Sequence, residues 1–226
     1  MSGRSNLGFV NGSIVGHYRT AAISGLMTGV AANAPIFAAR YVPTNPNYRA
    51  VLQRLRLQFA IVTPFTAAQE VYIAAYKVHG WSAADTGGSA LVLTAPNAML
   101  NDIADIAPSM TINVSTTGAL TPGTRTVDAN PFLVALGAQI FTASSTTTQA
   151  APFAEEYVLN SDQQYPFNMQ GNAALPQNSG GGNAYGPEGI IVQNAILLGA
   201  AGTVRFSAEM EWVEYDASTS LGGAMA

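Results

Sequence analysis

The chain has 226 residues, of which 48% are hydrophobic and only 10% are charged, and its formal net charge is −4. Nucleic-acid binding requires a basic surface, so this charge balance argues against a nucleic-acid partner. The sequence has no cysteine, which excludes disulfides, thiolate nucleophiles and cysteine-ligated zinc. An average soluble domain is about 25% charged. Much of this surface must therefore be neutral, which suits a dense assembly whose subunits cover one another.

The hydropathy of the sequence predicts neither a signal peptide nor a membrane-spanning segment. The segment Met1–Asn6 contains no apolar stretch of the kind that forms a signal peptide. The most apolar region, Gly189–Val204, is interrupted by Gln193 and Asn194 and falls short of about 18 uninterrupted apolar residues. We therefore expect synthesis in a bacterial cytoplasm without a leader, and no membrane association.

The chain begins with an extended N-terminal segment, about residues 1–20, in which Phe9–Val15 is a strand candidate. Two more candidates follow at Ala22–Met27 and Ile36–Val42, before the turn-forming run Pro43–Asn47. Short strands separated by such breakers are typical of an all-β sandwich or barrel.

Leu52–Val62 alternates clearly, with Leu55 and Leu57 on one face and Arg54 and Arg56 on the other. A period of two predicts a half-buried strand with its apolar face toward a core. Glu70–His79 alternates in the same way and contains the β-branched and aromatic residues that strands favour. Weaker strand patterns lie at Ala90–Thr94, Met110–Ser115, Phe132–Thr142, Glu155–Leu159 and Ile190–Leu198.

Two segments interrupt this series of strands. Asn97–Ile106 fits one short helix, because Asn97 can cap its start and Pro108 lies just beyond its end. Gln163–Pro187 is rich in Gly, Asn and Gln and is predicted to be a long loop that packs mainly on partners.

The last strand pattern, Thr203–Asp216, is the clearest in the chain. Val204 and Trp212 belong to an even-numbered apolar face, and Arg205 belongs to the polar face. We expect the acids of this segment to form a solvated or partner-facing strand edge: Glu209, Glu211, Glu214 and Asp216. With no alternation of strands and helices and no internal boundary, residues 1–226 are predicted to form one all-β domain, a jelly-roll-like β-sandwich.

One motif suggests enzymatic chemistry. Asp85-Thr86-Gly87 matches the triplet of aspartic proteases, in which two carboxylates share a proton. An apolar strand does not precede it, and Asp-Thr-Gly-Gly is also an ordinary turn, which is the interpretation we favour. His17 and His79 have no metal-ligand spacing. The sequence therefore predicts no catalytic residue, cofactor or metal.

Four segments resemble virion structural proteins of tailed bacteriophages: Val51–Phe59, Phe65–Glu70, Trp81–Gly88 and Gly118–Arg125. The resemblance is closest to capsid decoration or cement proteins. It implies a non-enzymatic, homo-oligomeric subunit on the capsid exterior, which stabilises the head by bridging major capsid proteins. Other virion positions, namely the tail, the neck or a fibre base, stay open. So does a carbohydrate-binding sandwich that stacks sugars on Tyr72, Tyr76 and Trp81.

Arginine is the cation that interfaces favour, because its planar guanidinium binds carboxylates and carbonyls with two donors. Four arginines lie in the N-terminal quarter of the chain. We expect this quarter to supply capsid-facing contacts through Arg4, Arg19, Arg40 and Arg49.

Overall fold

The computed structural model describes residues 13–45, 47–94, 106–139, 153–158, 168–170 and 187–216. This part of the chain contains twelve β-strands and no helix, which confirms the predicted all-β class. The strands are β1 (Ser13–Ile23), β2 (Ala34–Tyr41), β3 (Tyr48–Thr63), β4 (Gln69–His79), β5 (Ser89–Ala90), β6 (Met110–Val114), β7 (Thr126–Val127), β8 (Leu133–Gln139), β9 (Phe153–Val158), β10 (Asn168–Gln170), β11 (Gly189–Asn194) and β12 (Thr203–Asp216).

The strands form two antiparallel sheets. Sheet A has the order β1-β12-β3, with β9 and β10 both paired to the far edge of β3. Sheet B has the order β5-β6-β2-β11-β4, with β7 and β8 both paired to the far edge of β4. Consecutive strands along the chain therefore alternate repeatedly between the two sheets.

Eight of these strands make a jelly roll. Counted along the chain, β1, β2, β3, β4, β8, β9, β11 and β12 are its first to eighth strands. Sheet A then reads first, eighth, third, sixth, and sheet B reads second, seventh, fourth, fifth. This order of two interleaved Greek keys is that of a jelly roll. The remaining short strands, β5, β6, β7 and β10, lie in the longer connections.

The main core lies between the sheets and follows the predicted alternation. Val204, Phe206 and Trp212 of β12 are buried in it, while Arg205 on the same strand is exposed. Trp212 stacks on Tyr18 of β1 with 5.6 Å between ring centroids. The predicted burial register of the last strand is therefore confirmed.

A bulge changes the alternation of β3. Glu211 pairs with Arg54, but the next residue of β12, Trp212, pairs with Leu52, which leaves Gln53 unpaired. The extra residue lets Leu52 and Leu55 both reach the core although they lie three positions apart.

A second, smaller core covers the outer face of sheet B. It contains Trp81 and Leu120, which pack on Ala38, Val78 and Ile191 of three neighbouring strands. The segments around Trp81 and Leu120 are held together by backbone bonds, including Thr86 N to Thr121 O at 3.0 Å.

Some predicted boundaries were wrong or fall outside the described residues. The strand β1 includes the end of the candidate Phe9–Val15 and the start of the candidate Ala22–Met27, so residues 13–20 of the predicted extended segment are sheet. Residues 9–12 of the first candidate lie outside the described residues. The predicted loop Gln163–Pro187 contains β10, and the rest of it except Pro187 lies outside the described residues. The predicted helix Asn97–Ile106 also lies outside them, apart from Ile106.

Candidate functional site

The outer face of sheet A carries a ladder of ion pairs across its strands. Arg19 Nη2 of β1 lies 3.2 Å from Glu209 Oε2 of β12, and Arg56 Nη1 of β3 lies 3.9 Å from Glu209 Oε1. His17 Nε2 lies 2.8 Å from Glu211 Oε1. These charges largely compensate one another, so this part of the face offers little net charge to a partner.

The three candidate arginines that the structure describes, Arg19, Arg40 and Arg49, do not form one surface. The side chain of Arg19 is 47% exposed on sheet A. Arg40 lies on sheet B, where it donates to the carbonyls of Trp81 at 2.9 Å and Ser82 at 3.3 Å. Its partial burial lowers its pKa.

Arg49 is buried and donates to the Tyr48 carbonyl at 2.8 Å, whereas Arg4 lies outside the described residues. Of the candidate partner-binding arginines that the structure describes, only Arg19 therefore has a guanidinium at the surface that is not used to hold loops or strand ends.

The prediction that the acids of the last strand form a solvated or partner-facing strand edge was wrong for Glu214. β12 lies between β1 and β3, so these acids do not lie at a sheet edge. The Glu214 side chain is fully buried between the sheets, where Oε1 accepts from Ser109 N at 2.8 Å and from Trp212 Nε1 at 3.1 Å. The prediction placed Glu214 in the polar group because the side chain is charged, although alternation places it on the even-numbered, buried face of Trp212.

Burial raises the pKa of Glu214, and the hydrogen bonds from Trp212 and Ser109 partly oppose that rise. Burial also raises the pKa of Tyr41, and the nearby Glu214 carboxylate raises it further. Within the part of the chain that the structure describes, Tyr41 Oη and Glu214 Oε2 are both buried without a hydrogen-bond partner. Glu214 is thus a buried acid that is held by hydrogen bonds among the aromatic side chains of Tyr41 and Trp212.

A second buried acid lies in the small core on sheet B. Asp85 Oδ1 forms an ion pair with Arg125 Nη1 and accepts from Gly123 N at 2.8 Å. The Arg125 guanidinium also lies over the Trp81 ring, 5.3 Å from its centroid. Burial raises the pKa of Asp85, and the Gly123 amide and Arg125 oppose the rise. This arrangement fastens the two covering segments to each other.

The same contacts bear on two alternative functions. Gly87 has a φ of +82°, as a tight turn requires, and the Asp85 carboxylate is bound to Arg125 rather than to a second acid. Trp81 is fully buried, so its face is not free to stack on a sugar. The proposed platform of Tyr72, Tyr76 and Trp81 is therefore wrong as a surface feature.

Sequence reasoning missed an uncharged end of the sandwich. It consists of residues 23–33, 62–69 and 195–203, which contain no Asp, Glu, Lys, Arg or His. Residues 23–33 and 195–203 contact each other through Leu198 N, which donates to Val30 O at 2.9 Å. Residues 195–203 and 62–69 are joined by Gly199 N, which donates to Gln69 Oε1 at 3.0 Å. Leu26 and Leu197 are exposed there. The missing charges were visible in the sequence, but only the fold brings these segments together.

Two apolar patches flank this end on opposite sheets. On sheet A, Ile23 (64% exposed), Val62 (50% exposed) and Arg205 line a groove of about 360 Å³. We call these residues the sheet A patch. On sheet B, Val134 and Leu136 are exposed beside the strand β4, and Leu136 is 57% exposed.

No family model and no curated protein matches the chain. Within the described ranges, no cluster of three or more His, Asp or Glu side chains is arranged to hold a metal ion. The same ranges contain no helix long and apolar enough to cross a membrane.

Proposed function

We propose that the protein is a non-enzymatic virion subunit that decorates the capsid of a tailed bacteriophage and stabilises it by bridging capsid proteins. The observation that carries this proposal is a jelly roll built from a chain with only 10% charged residues. Jelly rolls are frequent among viral capsid proteins, although the fold alone does not assign a function. The low charge supplies the second support, because neutral surfaces suit close packing.

The organisation of the segments that resemble phage proteins also supports the proposal. Trp81–Gly88 and Gly118–Arg125 are distant in the sequence but form one unit through Asp85, Arg125 and the bridge between Thr86 and Thr121. Val51–Phe59 belongs to β3, an interior strand of sheet A that pairs with β12 on one side and with β9 and β10 on the other. The resemblance therefore falls on structured parts of the fold that carry its packing.

A decoration subunit gains its affinity from several contacts made at once. Each contact exists only when neighbouring capsid proteins are correctly spaced, so binding should depend on assembly. We assign Arg19 as a candidate capsid contact, since it combines exposure with a position on the open face of sheet A. Arg40 and Arg49 are assigned structural roles instead.

Co-sedimentation with expanded shells, immature shells and dissociated capsid protein tests the function. We expect binding to expanded shells, weak binding to dissociated protein, and a higher melting temperature of the decorated shell, because a ligand of the assembled state stabilises that state. Equal affinity for dissociated protein, or unchanged shell stability at saturation, would contradict the decoration function. Failure to bind any head shell would favour the tail, the neck or a fibre base.

A further inference from the structure

Two exposed charges near the uncharged end stand apart from the others. Glu70 begins the outward face of β4, and Arg205 lies on the outward face of β12. Among the residues whose side chains the structure describes, which leaves out Glu155 and Glu156 of β9, these are the charged side chains that make neither an ion pair nor a hydrogen bond. One is negative and the other positive, so they are complementary to each other.

The two charges cannot meet within one copy of the chain. Val71 next to Glu70, and Val204 next to Arg205, point into the core between the sheets. Successive side chains of a strand point to opposite faces, so Glu70 and Arg205 point away from the core on opposite sides of the sandwich. Stacked sheets lie about 10 Å apart, and the side chains extend outward from that spacing.

Each charge lies beside exposed aliphatic side chains. Arg205 belongs to the sheet A patch with Ile23 and Val62. Glu70 pairs with Ala138 of β8, two residues from Leu136, which places Leu136 on the diagonal of the same face. We call Glu70, Val134 and Leu136 the sheet B patch. It is an exposed face formed by β4 and β8, whereas the sheet A patch lines a groove.

We propose that the sheet B patch of one copy binds the sheet A patch of a second copy. Leu136 enters the groove beside Ile23 and Val62, and Glu70 forms an ion pair with Arg205 of the neighbouring copy. The occupant is assigned from complementarity, since a groove with an unpaired cation matches an aliphatic strand face with an unpaired anion. The neutral segments between the patches add no like charges to oppose the contact.

The contact joins different surfaces on the two copies. Such a head-to-tail contact can repeat, and it closes into a ring when the rotation between copies permits. The inference does not depend on the decoration function, because it concerns self-association in the absence of capsid.

Sedimentation velocity of the full chain over a range of concentrations tests the contact. We expect wild-type protein to associate reversibly. Glu70→Arg alone and Arg205→Glu alone should each weaken association by about 100-fold, since like charges then face each other. A wild-type protein that remains monomeric at every concentration would overturn the inference.

A mixture of the two single variants tests directly whether residue 70 of one copy faces residue 205 of another. In an equimolar mixture, the Glu70→Arg side chain of one variant faces the Arg205→Glu side chain of the other, so opposite charges meet again. At the next contact the unchanged Glu70 faces the unchanged Arg205, and association should return. The double variant Glu70→Arg, Arg205→Glu should associate by itself for the same reason. A mixture that stays monomeric, or single variants that associate as wild type, would exclude this pairing.

A matched pair of apolar substitutions tests the groove. Leu136→Ser should weaken association at least tenfold, whereas Val92→Ser should leave it unchanged, because Val92 is exposed outside both patches. Thermal unfolding of each variant checks that folding is retained. Equal effects of the two substitutions would contradict the assignment. Shell binding is measured separately, so failure of self-association is distinguishable from failure of the decoration function.

Discussion

The main core and the small core on sheet B each bury a tryptophan near a carboxylate, but they stabilise the carboxylate by different means. Near Trp212, Glu214 receives hydrogen bonds from Ser109 N and the indole. Near Trp81, Asp85 is paired with the Arg125 guanidinium. Burying an ion costs several kcal/mol, so one region reduces that cost with neutral donors and the other with a counter-charge. We therefore expect the stability of the region around Glu214 to depend more on pH. We expect the stability of the region around Asp85 to depend more on the presence of Arg125.

The largest effect is expected in the main core. Trp212→Ala should lower the free energy of unfolding by about 3–5 kcal/mol, because it leaves a cavity and removes the stacking on Tyr18. Denaturant unfolding measures this loss. Glu209→Ala on the outer face of the same strand is the control and should cost less than about 1 kcal/mol. Similar losses from both substitutions would refute the burial register of β12.

The small core should respond strongly to removal of its cation. Arg125→Met leaves the Asp85 carboxylate buried without a counter-ion, and we expect a loss of about 3 kcal/mol. Adding Asp85→Asn to that variant removes the isolated charge and should recover part of the loss. Urea titrations of the two variants measure the difference. A double variant that is less stable than Arg125→Met would show that the ion pair does not hold these segments.

We expect Glu214 to contribute more than Asp85 to the pH dependence of the free energy of unfolding, because Asp85 has a counter-ion and Glu214 has neutral donors. Because the pKa of folded Glu214 is raised above its ordinary value of 4.5, the folded state holds this proton more tightly than the unfolded state. The stabilisation is full below that ordinary value and is lost as the pH rises through the folded pKa. Glu214→Gln cannot lose a proton and retains an oxygen that accepts from Ser109 N.

The variant should therefore be more stable than wild type at neutral pH, by about 1.4 kcal/mol for each tenfold increase in proton affinity that folding gives Glu214. Thermal melts from pH 4 to pH 8 provide the measurement. Asp85→Asn serves as the comparison, since this substitution should leave most of the same slope in place. An identical pH dependence in wild type and Glu214→Gln would show that Glu214 is not the group responsible.

The smallest effect is expected on the outer face of sheet A. Arg19→Ala removes the 3.2 Å pair with Glu209, but Glu209 keeps Arg56 nearby. We expect a change in unfolding free energy below about 1 kcal/mol. If Arg19 contacts capsid protein as proposed, the same variant should bind shells more weakly. A stability loss comparable to that of Trp212→Ala would mean that Arg19 holds the fold instead.

The sequence predicted the strands whose alternation is long and regular. The faces of Leu55 and Leu57 on β3 and of Phe206 and Trp212 on β12 are as expected, because a period of two has one solution when one face is buried. The same rule also gives the buried face for Glu214, but the prediction was wrong because the charge of the side chain was given more weight than its place in the alternation. The prediction of an exposed Trp81 was wrong for another reason, because the burial of Trp81 depends on contacts with residues 118–127.

The sequence by itself determined the all-β class, the neutral surface and the position of the strongest strands, since these follow from composition and local alternation. Only the tertiary structure decided the jelly-roll order, the burial of Asp85 and Glu214, and the grouping of three neutral segments into one end. It also placed Glu70 and Arg205 on opposite outer faces. These features depend on contacts between residues far apart in the chain, and local patterns carry no information about which distant segments meet.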